Sequence, residues 1–197
     1  MQTPITIAAL AATAGLASAQ TVNINILIDE PLLAPGDSTA LTLEASFTTS
    51  DYGVAGILTD LVADTTADIS GAWSDWALVS PMNGPGTTPG VPDGSGGFQG
   101  IIAGQLHFPP AGIYGFPQNP ILFWTATFTA PADAAGSRVD LSTRTSRFEV
   151  YPDRASSRSE SRLDVLVEGA GQIHVVPAPA TGAALGLGLL ALRRRRR

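Results

Sequence analysis

Trp73 and Trp76 bracket Asp75 in the stretch GAWSDWALVS. Two aromatic rings beside a carboxylate are the parts of a sugar platform: apolar sugar faces stack on the rings and sugar hydroxyls donate to the acid. Residues three apart also lie on opposite faces of a strand, so the same pair reads equally as one core ring and one exposed ring. Asp60, Asp64 and Asp68 recur every four residues, with Asp75 and Asp93 in nearby loops. Oxygen-rich loops can bind calcium, and a structural calcium is the only cofactor these residues suggest. The ligand run D-x-[DN]-x-[DN]-G is missing, which favours solvated acidic turns, no metal site and no cofactor.

Nucleophilic chemistry finds less support. Cysteine is absent, which removes thiolate nucleophiles, thiolate metal sites and disulfides. Gly36-Asp37-Ser38 resembles the nucleophile block of GDS-type hydrolases, a family that also needs a late Asp-x-x-His. The two histidines, His107 and His174, carry glycine at that distance, Gly104 and Gly171. Without a base and its acid partner, Ser38 reads as part of a Pro-Gly-Asp-Ser turn, and no catalytic residue is predicted.

Charge narrows the partners. The formal charge of −6 hides an asymmetry, because five of the eleven basic residues are Arg193, Arg194, Arg195, Arg196 and Arg197. The other six are arginines between Arg138 and Arg162, set against seventeen acidic residues, so the chain without its tail carries −11. A body this acidic repels phosphate backbones, so nucleic acid is excluded as a partner of the folded domain. Lysine is absent throughout, and the glycine-rich loop at 83–100 has no G-K-[ST], so it is not a phosphate cradle.

Both ends read as addresses. An apolar stretch from Ile5 to Leu16 precedes Ala17-Ser18-Ala19, an A-x-A cleavage pattern before Gln20. Residues 1–19 are therefore expected to be a signal peptide, handled by the Sec translocon and signal peptidase. At the other end Pro177 and Pro179 block a helix until about Ala180. Ala180 to Leu192 would make ~20 Å of helix, short for a bilayer core of ~30 Å, so the run predicts a short transmembrane helix with the arginines as a cytoplasmic stop-transfer. Pro177-Ala178-Pro179-Ala180-Thr181, then a Gly/Ala/Leu run, then terminal arginines, resembles a PEP-CTERM sorting signal, with Ala178 where that family usually has Glu. The resemblance implies bacterial surface or extracellular cargo, held transiently in the inner membrane and processed by exosortase, a membrane transpeptidase. On this reading residues 175–197 form the sorting signal.

Between these ends, residues 20–174 predict an all-β domain. Val22, Ile24, Ile26 and Ile28 alternate with polar residues, as do Leu41, Leu43, Ala45 and Phe47. Leu122, Trp124, Ala126 and Phe128 are expected to share a face opposite Phe123 and Thr125. Val139/Leu141, Phe148/Val150, Leu163/Val165/Val167 and Ile173/Val175 continue this period of two, the signature of half-buried antiparallel strands. Val54, Ile57, Leu58, Leu61 and Val62 have helical spacing, but Gly53 and Gly56 favour an irregular strand. Residues 83–100 predict a long loop. In 154–168 Arg154, Arg158 and Arg162 would line one helical face and Arg158, Glu160 and Arg162 equally one strand face, and a solvated hairpin with cross-strand ion pairs is the expectation. The expected fold is an antiparallel β-sandwich of jelly-roll or cohesin-like type. A strand, the Pro35-Gly36-Asp37 turn, a second alternating strand and then Gly53-Val54-Ala55-Gly56-Ile57 resemble cohesin-like and related carbohydrate-binding sandwiches.

These readings converge on an exported, non-catalytic surface or matrix protein. The alternative is a carbohydrate-binding or adhesion module that meets extracellular polysaccharide through Trp73, Asp75 and Trp76. A secreted hydrolase is the third class.

Overall fold

A strand that is apolar on one side must cover that side, and two sheets do so by facing each other. The structure, a computed structural model describing residues 20–109, 112–113 and 117–177, is a sandwich of this kind. Its first strands are β1 (Val22–Ile28), β2 (Leu32–Leu33), β3 (Ser38–Phe47), β4 (Gly53–Asp64), β5 (Trp73–Leu78), β6 (Val91–Pro92) and β7 (Phe98–Gly104). Then follow β8 (His107–Phe108), β9 (Gly112–Ile113), β10 (Ile121–Thr129), β11 (Arg138–Tyr151), β12 (Glu160–Ser161), β13 (Leu166–Val167) and β14 (Ala170–Val175).

One sheet has the order β13-β1-β3-β10-β5, the other β2-β14-β11-β4-β7-β6 with β12 attached to β11, and β8 pairs β9 separately. The ladders are antiparallel, as expected, except β1/β13 and β14/β2, two short parallel pairs at sheet margins. No α-helix occurs among the described residues, and no helix there is long and apolar enough to cross a membrane. The predicted signal peptide, most of the sorting motif (Ala178 to Thr181), the predicted transmembrane helix and Arg193 to Arg197 lie outside the described residues.

The alternation in β1, β3 and β14 translates directly into burial. Val22, Ile24, Leu41, Leu43, Ala45, Ile173 and Val175 are core, while Thr42, Glu44 and Ser46 face outward. Burying a Val, Leu, Ile or Phe side chain contributes ~1.5–3 kcal/mol, so these faces and their counterparts on β4 and β11 supply the main driving force.

β10 departs from the predicted register. Leu122, assigned to the core face, is 41% exposed, and Phe123, assigned to the wet face, is 0% exposed. A bulge causes this: Leu122 pairs Glu44 and Trp124 pairs Leu43, leaving Phe123 as the extra residue. β4 shows the same device. Val150 pairs Val54 and Glu149 pairs Gly56, so Ala55 is extra, and Val54 and Ile57 both point inward despite being three apart. The helix-like spacing in this strand is the imprint of that bulge.

Two other segments correct the sequence reading. Leu163 to Val165 form a 3-10 turn, and Leu163 and Val167 are exposed, so these residues do not continue an inward face. The stretch 83–100 is not a free loop. Thr88 and Ile102 exchange backbone hydrogen bonds of 2.9 Å, Val91 pairs Gln99, and Phe98 to Gly100 belong to β7. The segment lies along β7 as a flap that covers the sheet margin.

Candidate functional site

The two tryptophans of the predicted sugar platform sit in β5, which bulges at Asp75 and Trp76. Ser74 pairs Thr127 and Ala77 pairs Thr125, so Asp75 and Trp76 together face one residue of β10. Asp75 takes φ +54°, an unusual conformation for a residue with a side chain. Trp73 is 7% exposed and Trp76 36% exposed. The Trp73 Nε1 donates to Gly96 O at 2.6 Å, and its ring meets Phe98 and Phe128 edge-on at 5.7 and 5.0 Å. Trp76 stands over Phe98 at 5.4 Å. Of the two readings of this pair, one core ring and one exposed ring is the one seen: Trp73 is core, and of this pair only Trp76 offers a ring to solvent. Asp75 accepts from the Ser74 hydroxyl at 3.1 Å.

The aspartates serve the backbone. Asp68 Oδ1 accepts from Ser70 N at 3.0 Å and Ser70 Oγ at 2.8 Å, and the Ser70 amide and hydroxyl hold its carboxyl below its ordinary value. Asp93 Oδ1 accepts from Ser95 N, Ser95 Oγ and Gly97 N at 2.8, 2.8 and 3.0 Å. Burial pushes its carboxyl up, but these donors outweigh burial and hold it below the ordinary value. Asp60 Oδ1 accepts from Gly100 N at 2.7 Å. Among the described residues no group of three acids or histidines comes together as a metal site.

Ser38 opens β3 directly after the Pro35–Asp37 turn, and its hydroxyl lies 2.8 Å from Thr129 Oγ1. His174 sits in β14 between buried Ile173 and Val175, half-buried, in register with Leu32 and Arg138. His107 packs between Tyr151 and Tyr52, ring centroids 4.5 and 5.7 Å away. No hydrogen bond joins either histidine to a hydroxyl among the described residues.

The polar stretch 154–168 holds a feature that spacing did not reveal. Arg162 Nε and NH2 donate to Asp51 Oδ2 and Oδ1 at 3.0 and 2.6 Å, a two-pronged clamp across 111 residues, and NH2 also reaches Glu160 at 3.0 Å. The Asp51 side chain is 4% exposed and that of Arg162 23%, so this long-range pair is largely buried, while the pair with Glu160 is solvated as expected of the stretch. The same Asp51 carboxylate accepts from the Thr49 hydroxyl. These hydrogen bonds, led by Asp51, raise the Arg162 guanidinium above its already high value. Glu168 closes the neighbouring sheet margin, accepting from Thr143 Oγ1 (2.6 Å), Thr145 N (2.6 Å) and Thr145 Oγ1 (2.8 Å).

The outer face of the sheet built on β11 carries a groove of about 190 Å³. Its floor is a row of glycines, Gly56 of β4 paired with Gly104 of β7, and Gly84 of the flap beside them. Arg147, Glu149 and Tyr151 of β11 stand along one wall, and Pro85 to Thr87 form the other.

No family model matches the chain, and no curated protein is similar to it. Solved structures do share its architecture. The seventh ScaB type I cohesin from Pseudobacteroides cellulosolvens is 17% identical, with 81% of this chain and 96% of that one covered and a TM-score of 0.54. The third ScaC cohesin from Acetivibrio cellulolyticus, solved in complex with the ScaB dockerin, is 12% identical over 80% of this chain and 99% of that one, TM-score 0.51. The body is a cohesin-like β-sandwich, the fold expected from the Pro35–Asp37 turn and the stretch 53–57.

Proposed function

We propose that this chain is an exported, non-catalytic β-sandwich module that is sorted to the cell surface or extracellular matrix and binds a partner there. The observation that carries the reading is the pairing of a cohesin-like body with the A-x-A pattern at Ala17 to Ala19 and the Pro177–Thr181 motif, apolar run and arginine tail. Signal peptidase cleaves before Gln20, the arginines stop transfer, and an exosortase-type transpeptidase processes the chain near Pro177. Val175, whose side chain is buried, ends the last strand, and Val176 N donates to Leu33 O, so cleavage after these residues leaves the sandwich whole. The relative solved with a dockerin makes another protein the first partner class to test. Without the tail the partner meets a body of charge −11, which favours neutral or locally matched surfaces over polyanions.

Mass spectrometry of the protein recovered from its host tests the sorting. The expected product begins at Gln20 and lacks the five arginines. An intact C-terminus ending in Arg197 would refute it.

A further inference from the structure

The groove over Gly56 and Gly104 combines features that packing alone does not require. Gly56 lies in a strand interior, where glycine is disfavoured. A Cβ built there meets only Ala103 O, at 3.7 Å, an ordinary contact, so the fold has room for a Cβ that is not present. Gly104 differs: its Cβ would come within 3.2 Å of Ala55 O, and the Thr87 methyl already lies over it at 3.8 Å. The result is a side-chain-free trench with a defined wall. That wall is braced, because Gly84 N donates to Gly104 O (3.0 Å) and Thr87 Oγ1 donates to Gly84 O (2.6 Å).

The polar groups at the opposite wall are unequal in their commitments. Glu149 is held by Ser159 Oγ at 2.9 Å. Arg147 has no acidic partner among the described residues, although Arg138 and Arg162 both have one. The Tyr151 hydroxyl has only a 3.5 Å contact to Gln105 O, leaving its proton available. Burial, and then the Glu149 charge, raises the Tyr151 phenol, so it stays a neutral donor. Leu106, 43% exposed, adds an apolar surface at the same groove.

We propose that this groove binds an acidic sugar, a uronic acid residue carried on an otherwise neutral polysaccharide. The guanidinium of Arg147 presents the fork that pairs a carboxylate through two parallel hydrogen bonds. The phenol of Tyr151 and the backbone of the flap serve ring hydroxyls, and the ring's C–H face lies on the glycine floor against Leu106. A continuous polyanion is disfavoured by the −11 body, which selects isolated acidic residues among neutral ones. The site is separate from Trp73, Asp75 and Trp76 and does not depend on how the chain is sorted.

The test is calorimetric titration of the full chain with a glucuronic-acid-substituted xylo-oligosaccharide and with its unsubstituted parent. The substituted oligomer is expected to bind, and the parent at least tenfold more weakly. Arg147→Ala should weaken the substituted oligomer by about tenfold to a hundredfold, the cost of a charged hydrogen-bond pair, and leave the parent unchanged. Gly56→Ala should weaken binding of both while the thermal midpoint stays at or above that of the unsubstituted protein. Equal binding of the two oligomers, insensitivity to Arg147→Ala, or no binding at all would overturn the proposal. Preference for an Asp/Glu-rich peptide over the oligosaccharide would overturn it in favour of a protein carboxylate.

Discussion

Arg162→Ala should be the most destabilising surface-loop substitution in this protein, and the reason is the carboxylate it abandons. Asp51 is 4% exposed and takes both prongs of the Arg162 guanidinium. Removing one member of a buried pair typically costs ~3–5 kcal/mol, because the remaining charge stays desolvated. Two features reduce that figure here: Arg162 is 23% exposed, and Asp51 keeps the Thr49 hydroxyl. The expected loss is ~2–3 kcal/mol, a large share of the ~5–15 kcal/mol typical of a domain, or about 4–12 °C in melting temperature. Arg162→Lys should recover about half, since an ammonium supplies charge without the fork. Urea denaturation followed by tryptophan fluorescence provides the measurement, arranged as a double-mutant cycle with Asp51→Ala. A coupling of about 1.5–2 kcal/mol that survives ~0.5 M salt is expected, because a desolvated pair is weakly screened. Coupling below ~0.5 kcal/mol, or coupling erased by salt, would show the pair to be an ordinary surface contact and refute the reasoning. Amide exchange should also quicken at Ser159 to Ser161, since the clamp ties the end of β12 to the loop that precedes β4.

In β10, Phe123→Ala should cost ~3–5 kcal/mol and Leu122→Ala less than ~1 kcal/mol, the reverse of what strict alternation predicts; chemical denaturation of the two variants decides it. Trp73→Ala should lose ~3–5 kcal/mol through its packing and its bond to Gly96, whereas Trp76→Ala should lose ~1–2 kcal/mol, again by denaturation; equal losses would contradict the burial difference. Acid sensitivity has a defined source at Asp93. Its folded carboxyl lies below the ordinary 3.8, so the unfolded chain binds protons first, and the stability it contributes is complete above that value and lost as pH falls through the lower folded one. Asp93→Asn should flatten the stability curve in acid, below about pH 5, and an unchanged slope in acid titrations would argue against it.

Local information was enough for the class of fold. Alternation in β1, β3 and β14 is written residue by residue, because a strand's two faces are set by its own period of two. The Pro35-Gly36-Asp37 turn is equally local: Gly36 takes φ +91°, and the Asp37 carboxylate accepts from Ala34 N. The charge asymmetry and the expected addresses at both ends were read from composition and order alone. Everything that depends on register between distant strands was decided by tertiary structure. Phe123 is core only because the β3–β10 ladder bulges there, and Asp75 and Trp76 share one partner residue of β10 only because β5 bulges. Arg162 finds Asp51, 111 residues away, in addition to Glu160 in its own hairpin, and Gly56, Gly104 and Arg147 become one groove only when β4, β7 and β11 lie side by side. A sequence states which face each residue prefers; the ladder that offsets one strand against the next decides which residues meet.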